Sequence, residues 1–194
     1  MYDLSAKEMS PEDIAATAER LRKKCNIGVA YTYNEPLIGW EFVRDTAKLV
    51  HEAGMKNVLV TNGSVTLGVL NELIPYIDAM NIDLKGFRED YYKDSLGGDL
   101  DTVLDFISEA AKHCHIELTT LIVPGENDSE NEIRELSEWI AALSAKTGCD
   151  IPLHISRFFP RFRMTDRDAT DVKLVYRLAD TAREKLRYVY TGNC

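Results

Sequence analysis

The residues with chemistry in them are few and fall in short groups. Asn34-Glu35-Pro36 sets an amide and a carboxylate ahead of a proline, and Thr61-Asn62-Gly63 a hydroxyl and an amide ahead of a glycine. Asp83 and Lys85 stand two residues apart, which in a strand puts a carboxylate and an ammonium on one face. Pro124-Gly125-Glu126-Asn127-Asp128 is a polar turn, and His154 and Arg157 close a short apolar run. Such groups could surround a bound ligand. Alternatively, Lys85 could be the Schiff-base amine of a metal-independent barrel lyase or aldolase. A lysine nucleophile must shed its charge, however, and a carboxylate two residues away favours keeping it. Each group also has a plain structural reading. The residue before proline avoids helix, so Asn34-Glu35-Pro36 fits a helix entry. Thr61-Asn62-Gly63 fits a turn, Asp83 and Lys85 a salt bridge, and His154 a satisfied core histidine.

Thiol chemistry has little support. Cys25, Cys114, Cys149 and Cys194 are scattered, with no C-x-x-C or C-x-x-x-C pair. Metal and cluster sites use such pairs because one turn must aim two thiolates at one centre. The four are expected to be ordinary reduced thiols. Residues in a row point in different directions, so His113-Cys114-His115 is not read as a metal site.

The elements that must position these groups alternate strand with helix. Ser10-Pro11-Glu12-Asp13 is an N-cap, a first-turn proline and two acids, predicting a helix to about Lys24. A strand is predicted over Asn26 to Tyr33. The next helix, Trp40 to Ala53, has Val43, Ala47 and Val50 at helical spacing and Gly54 just past its end. Val58 to Thr61 reads as a strand, Thr66 to Ile74 as a helix stopped by Pro75, and Ile77 to Leu84 as a strand. Asp101 to His113 is predicted helical, and Ile116 to Val123 is a β-branched strand. Ser129-Glu130-Asn131-Glu132 reads as a capping box opening a helix to Lys146. The strand Leu153 to Ser156, the helix Asp171 to Lys185 and the strand Arg187 to Tyr190 complete the chain.

Strand and helix in turn imply right-handed crossovers and a parallel sheet, either open or curled as a barrel. No G-x-G-x-x-G follows the first strand, which argues against an open dinucleotide-binding sheet. In a parallel α/β fold the carboxyl ends of the strands share one face, where ligands bind. The polar groups above all follow strands, so they are expected around one mouth. The opening helix suggests that a first strand is missing, leaving a bare edge beside Asn26 to Tyr33. Bare edges invite pairing, so a dimer through that edge, or an N-terminal segment covering it, is expected.

Composition excludes several classes. A formal charge of -9, from 32 acidic and 23 basic residues, argues against a nucleic-acid partner. The stretch Arg157-Phe158-Phe159-Pro160-Arg161-Phe162-Arg163 mixes cations with aromatics, but no second basic patch supports it, and a loop covering the mouth is preferred. No apolar run approaches the ~20 residues of a membrane helix, and Met1 to Ile14 lacks a signal pattern. A cytoplasmic protein of one domain over residues 1–194, without membrane partners, is expected.

Five blocks together resemble a known family. Ala30-Tyr31-Thr32-Tyr33-Asn34-Glu35-Pro36 resembles the Gly-Gly-Glu-Pro-type motif of radical S-adenosylmethionine (SAM) enzymes. Val60 to Gly63, Asn81 to Phe87, Leu121 to Asp128 and His154 to Pro160 follow in the order found in relatives of the pyruvate formate-lyase activating enzyme. The wording is most similar to the branch called the AmmeMemoRadiSam system radical SAM enzyme, and the likeness runs from about Ser10 to Asn193. The resemblance implies a partial parallel (β/α) barrel of the TIM-like type, without the first strand and the cluster loop. It implies a SAM site in which Asn34, Glu35 and Pro36 receive the amino group. Asp83 and Lys85 would lie near the methionine carboxylate and ribose, and His154 near the ribose and adenine. Val123 and Gly125 would flank the adenine, and Thr61 and Asn62 would line the same wall. Reductive cleavage of SAM to a 5′-deoxyadenosyl radical, and hydrogen abstraction from a protein or small-molecule substrate, are what such a parent enzyme does.

Two departures follow. The family's C-x-x-x-C-x-x-C loop, which would precede Met1, is absent, so a [4Fe-4S] cluster is expected only in a longer parent and the 194 residues alone are expected to be inactive. Val60 stands where activating enzymes often carry a cation-binding aspartate. A cluster-free SAM-binding or scaffolding domain is the alternative from another class.

Overall fold

The computed structural model describes residues 7–194. Along them run α1 (Pro11–Leu21), β1 (Gly28–Tyr31), α2 (Trp40–Glu52), β2 (Lys56–Thr61), α3 (Leu67–Leu73) and β3 (Ala79–Asp83). Then come α4 (Leu100–Ala110), β4 (His115–Ile122), α5 (Glu130–Thr147), β5 (Leu153–Arg157), α6 (Val172–Arg183) and β6 (Val189–Gly192). The strands form one sheet in the order β1-β2-β3-β4-β5-β6, every neighbouring pair parallel. With sequential order and a single crossover hand, all the connecting helices fall on one face. This is the partial TIM-like barrel expected: a curled run of β/α units that does not close.

Period-two alternation sorts the strands. In β4, Ile116, Leu118, Thr120 and Ile122 are buried under the helices, whereas Glu117 and Thr119 are half-buried on the other face. In β3, Met80 and Ile82 face the helices, and Asn81 and Asp83 face away. Leu59, Ile82, Leu118, Leu153 and Ile155 meet Leu70, Phe106, Ile107, Ile133, Leu136, Ile140 and Leu178 in one continuous core. The uncovered face is the inner wall of the barrel. A second cluster of Ala18, Val50 and Met55, with Val29 beside it, fixes α1 against α2 and β1.

The first helix starts as its sequence dictates. The Asp13 N–H donates to Ser10 Oγ at 3.2 Å, and the Ser10 N–H donates to the Asp13 carboxylate at 3.3 Å. The box at Ser129 is only half made. Ser129 Oγ accepts from the Glu132 N–H at 3.2 Å, but the Glu132 side chain turns away to accept from the Phe87 N–H at 2.8 Å. A half-buried loop donor outcompeted one that water could satisfy.

Other boundaries moved for local reasons. β1 is shorter than expected because Tyr33 and Asn34 adopt left-handed φ values of 64° and 54°, and Asn26 instead donates its Nδ2 to the Ala18 carbonyl. Pro75 sits inside a 3₁₀ turn, Ile74–Tyr76, that continues α3. β6 begins two residues later than expected, with Val189 paired to Leu153. Gly28 is required where it stands: a Cβ there would lie 1.8 Å from the Lys56 carbonyl oxygen on β2. A π-helical turn, Tyr91–Leu96, was not foreseen. The expectation that an N-terminal segment covers the edge at β1 falls in part on residues 1–6, outside the described residues.

Candidate functional site

Strand register builds the site. Asp83 pairs with Thr119, Thr119 with His154, and His154 with Tyr190. These four residues form a row across β3, β4, β5 and β6 on the inner wall, at the ~4.8 Å spacing of adjacent strands. Asn81 and Glu117 form the row beneath. The sequence thus places Asp83 and His154 on one rim, and the register makes them two strands apart with a threonine between.

Hydrogen bonds fix most of these groups. Lys85 Nζ lies 2.8 Å from Asp83 Oδ2. Thr119 Oγ1 donates to Asn81 Oδ1 at 2.9 Å. His154 Nε2 lies 2.6 Å from Glu117 Oε2, and His115 Nε2 lies 3.3 Å from Glu117 Oε1. An ionised carboxylate only accepts, so the contact with Glu117 places a proton on His154 Nε2. Tyr190 stacks on the His154 ring at 5.3 Å between centroids. Partial burial raises the Glu117 carboxyl, but the bonds from His154 and His115 outweigh it and hold it below its ordinary value.

Glu35 behaves differently from a free ligand group. Its Oε1 accepts from Thr61 Oγ1 at 2.7 Å and from the Leu37 N–H at 3.1 Å, and its Oε2 accepts from the Asn62 N–H at 2.7 Å. It caps the turn at Pro36 and ties the β1 loop to the end of β2. Thr61 is buried, its hydroxyl spent on Glu35 and the Gly63 N–H. Asn62 is half-buried and accepts from the Ser64 N–H at 2.8 Å. Asn34 is exposed beside them, while Pro36 is half-buried.

The Val123–Gly125 segment is held from within. Asn127, fully buried, accepts from the Val123 N–H at 2.7 Å. Its Nδ2 donates to the Lys85 carbonyl at 2.5 Å and the Leu121 carbonyl at 2.8 Å, joining the end of β3 to the end of β4. Gly125 has φ 78° and donates to Asp128 at 3.0 Å. Glu126 then laces three loops: its carboxylate meets Arg167 at 2.8 Å and Ser95 at 3.2 Å, and its carbonyl accepts from Arg88 at 2.8 Å. Tyr92, on the π turn, accepts from the Lys85 N–H at 3.1 Å, and burial pushes its phenol up to about 12.

The structure therefore brings Asp83, Lys85 and His154 together on the inner wall. Asn34, Glu35, Pro36, Thr61 and Asn62 form a second group at the ends of β1 and β2, and Val123 and Gly125 a third beyond β4. Sequence reasoning missed Glu117, Thr119 and Tyr190, and read Asn127 only as one residue of a polar turn. The alternation Glu117-x-Thr119 was the available signal, since two polar residues share one face of a strand whose other face carries Ile116, Leu118 and Ile122. The four thiols do not converge on one point. Cys25, Cys114 and Cys149 precede β1, β4 and β5 at the amino ends of the strands, away from the rim, where Cys114 and Cys149 line one pocket, and Cys194 follows β6. Among the described residues no three His, Cys, Asp or Glu side chains are grouped to hold a metal ion, so the residues present do not fit an iron–sulfur cluster. No helix among them is long and apolar enough to cross a membrane.

Comparison with known proteins bears on the family and the fold. Residues 3–139 match the model of the Radical SAM superfamily. An uncharacterised protein of Methanocaldococcus jannaschii is 37% identical over 193 residues, 98% of this chain and 55% of its own length. The pyruvate formate-lyase 1-activating enzyme of Escherichia coli is 27% identical over 139 residues, 69% of this chain and 56% of that one. A crystallised domain of pyruvate-formate lyase-activating enzyme from Bacteroides vulgatus superposes with a TM-score of 0.71 at 17% identity, covering 86% of this chain and 99% of that one. The chain spans about half the length of the curated relatives it matches.

Proposed function

The chain belongs to the radical SAM superfamily, and on that premise we propose that it is the SAM-binding barrel portion of an enzyme of the pyruvate formate-lyase activating type. The observation that carries the reading is the row Asp83–Thr119–His154–Tyr190 with Lys85 at its end. SAM is a zwitterion carrying a sulfonium, so its site needs acceptors for the amino group and ribose and a cation for the carboxylate. Lys85 supplies the cation, Asp83 accepts from the ribose, and His154 offers Nδ1 to a ribose hydroxyl with Tyr190 behind it. Glu35 already accepts three bonds; a carboxylate has about four acceptor sites, which leaves one for the amino group beside Asn34 and Pro36. Val123 and Gly125 offer a backbone surface to the adenine, and Asn62 the adjoining wall, with Thr61 holding Glu35 in place.

In a longer parent, a [4Fe-4S] cluster held by residues outside this chain would supply the electron for reductive cleavage of SAM, ahead of hydrogen abstraction from a protein or small-molecule substrate. The described residues lack a ligand set for it, so no step through the cluster is assigned to them. The chain's own part is to bind and orient SAM; by itself it is inactive in hydrogen abstraction.

Calorimetric titration with SAM tests the reading. Weak saturable binding is expected, reduced about tenfold or more by Asp83→Ala and by His154→Ala, each tenfold step being about 1.4 kcal/mol. Binding that neither substitution changes would overturn the site. No binding at millimolar SAM would leave the chain a scaffold.

A further inference from the structure

The loop between β5 and α6 has a locked base and a bare tip. Thr170 closes the base: its N–H donates to the Phe158 carbonyl at 3.1 Å, its hydroxyl to the Ile122 carbonyl at 2.6 Å, and its carbonyl accepts from Arg157 Nε at 2.7 Å. Arg167 adds a second anchor on the Pro124 carbonyl at 3.0 Å and on Glu126 at 2.8 Å. Between the anchors every residue from Phe159 to Asp166 is exposed. Among the described residues, only the Met164 N–H, donating to the Arg161 carbonyl at 3.1 Å, crosses the tip.

That tip is costly for a surface with no partner. Phe162 is 89% exposed, with a left-handed φ of 54° that bulky side chains disfavour. Phe159 and Met164 are also exposed. The Arg157 guanidinium lies 4.6 Å from the centre of the Phe159 ring, and that of Arg163 5.2 Å from the Phe162 ring. Among the described residues no carboxylate lies within 4.0 Å of Arg157, Arg161 or Arg163, although Arg167 nearby has two. These three arginines fall within seven residues, and no acid stands from Arg157 to Thr165, in a chain of net charge -9. Strain of this kind collects at ligand clamps.

We propose that this tip docks an acidic stretch of a polypeptide substrate at the rim of the barrel. Guanidiniums held against rings are pre-positioned to take carboxylates in bidentate pairs. Exposed aromatics with arginines are the side chains that anchor protein interfaces. A nucleic acid would need a longer basic track than three residues on an acidic surface. The inference names the substrate class for the function proposed above and rests on it.

An array of random 15-residue peptides, probed with the labelled chain, tests it. Bound peptides should be enriched in Asp and Glu beside an apolar residue. In fluorescence anisotropy on the best of them, Arg161→Ser with Arg163→Ser, and separately Phe162→Ser, should weaken binding at least tenfold. The urea midpoint and SAM binding of these variants should stay unchanged. No acidic enrichment, or equal binding by the variants, overturns the proposal. Tighter binding of a 15-nucleotide oligothymidylate than of any peptide overturns it in favour of nucleic acid. Peptide binding that depends on the tip without any SAM binding would remove the SAM reading and leave the docking surface; SAM binding without peptide binding would do the reverse.

Discussion

Asn127→Ala separates the geometry of the rim from its composition. The Asn127 side chain is fully buried and makes three bonds: one accepted from the Val123 N–H and two donated, to the Lys85 and Leu121 carbonyls. Truncation strands one buried donor and two acceptors. An unmade buried bond costs about 1–3 kcal/mol, and water entering from the rim recovers part of that, so a loss of about 3 kcal/mol is expected. With a urea slope of about 2 kcal/mol/M, the unfolding midpoint falls by about 1.5 M with the slope unchanged. Asn127→Asp sharpens the test. It keeps an acceptor for Val123 but sets a carboxylate against two carbonyl oxygens. Burial and repulsion raise the folded pKa of the introduced carboxyl above its unfolded value. The folded state then binds the proton more tightly, so the variant gains stability as pH falls through that folded value, and loses it as pH rises. A loss below 1 kcal/mol for Asn127→Ala, or an Asn127→Asp variant whose deficit does not shrink on acidification, would refute the account.

Three further outcomes are expected. Ser137 Oγ on α5 is buried with no hydrogen-bond partner among the described residues, so Ser137→Ala should stabilise by about 1 kcal/mol, read as a raised melting temperature; a lowered one would mean the hydroxyl is bonded. Tyr33 is 91% exposed at φ 64°, and left-handed conformation costs an ordinary residue about 1–2 kcal/mol. Tyr33→Gly should therefore match or slightly exceed the wild type in urea, even after glycine's extra unfolded-state entropy; a loss above 1 kcal/mol would show that the ring makes contacts. Glu117 titrates below the ordinary 4.5 in the folded chain, where bonds from His154 and His115 outweigh the opposing effect of burial. A depressed carboxyl adds stability above its unfolded pKa and loses it as pH falls through the folded one. Solvent screening limits that to a few tenths of a kcal/mol, and Glu117→Gln should flatten the acid limb of stability by that amount in urea midpoints measured from pH 5 down to 3.

The order of elements was legible because it depends on local rules. Periodicity in Trp40 to Ala53, the cap at Ser10 and the β-branched run at Ile116 each declare an element, and sequential strand–helix units leave a parallel sheet as the consistent arrangement. The same order placed Asp83, Lys85 and His154 on one rim, since strand ends share a face whatever the register. What the tertiary structure alone decided was which groups meet there. Glu117 and His154 are 37 residues apart, and their 2.6 Å contact exists only because the register of β4 on β5 sets Thr119 beside His154. A slip by one residue would have sent Glu117 under the helices. Asn127 looked like one more turn residue until the fold brought the Lys85 carbonyl to its amide, and Glu132 looked like a capping-box acid until the Phe87 N–H reached it. Alternation fixes the face a side chain takes, which is a property of the strand itself. The neighbour it finds on that face depends on how adjacent strands slide, and that is set by packing of the whole core.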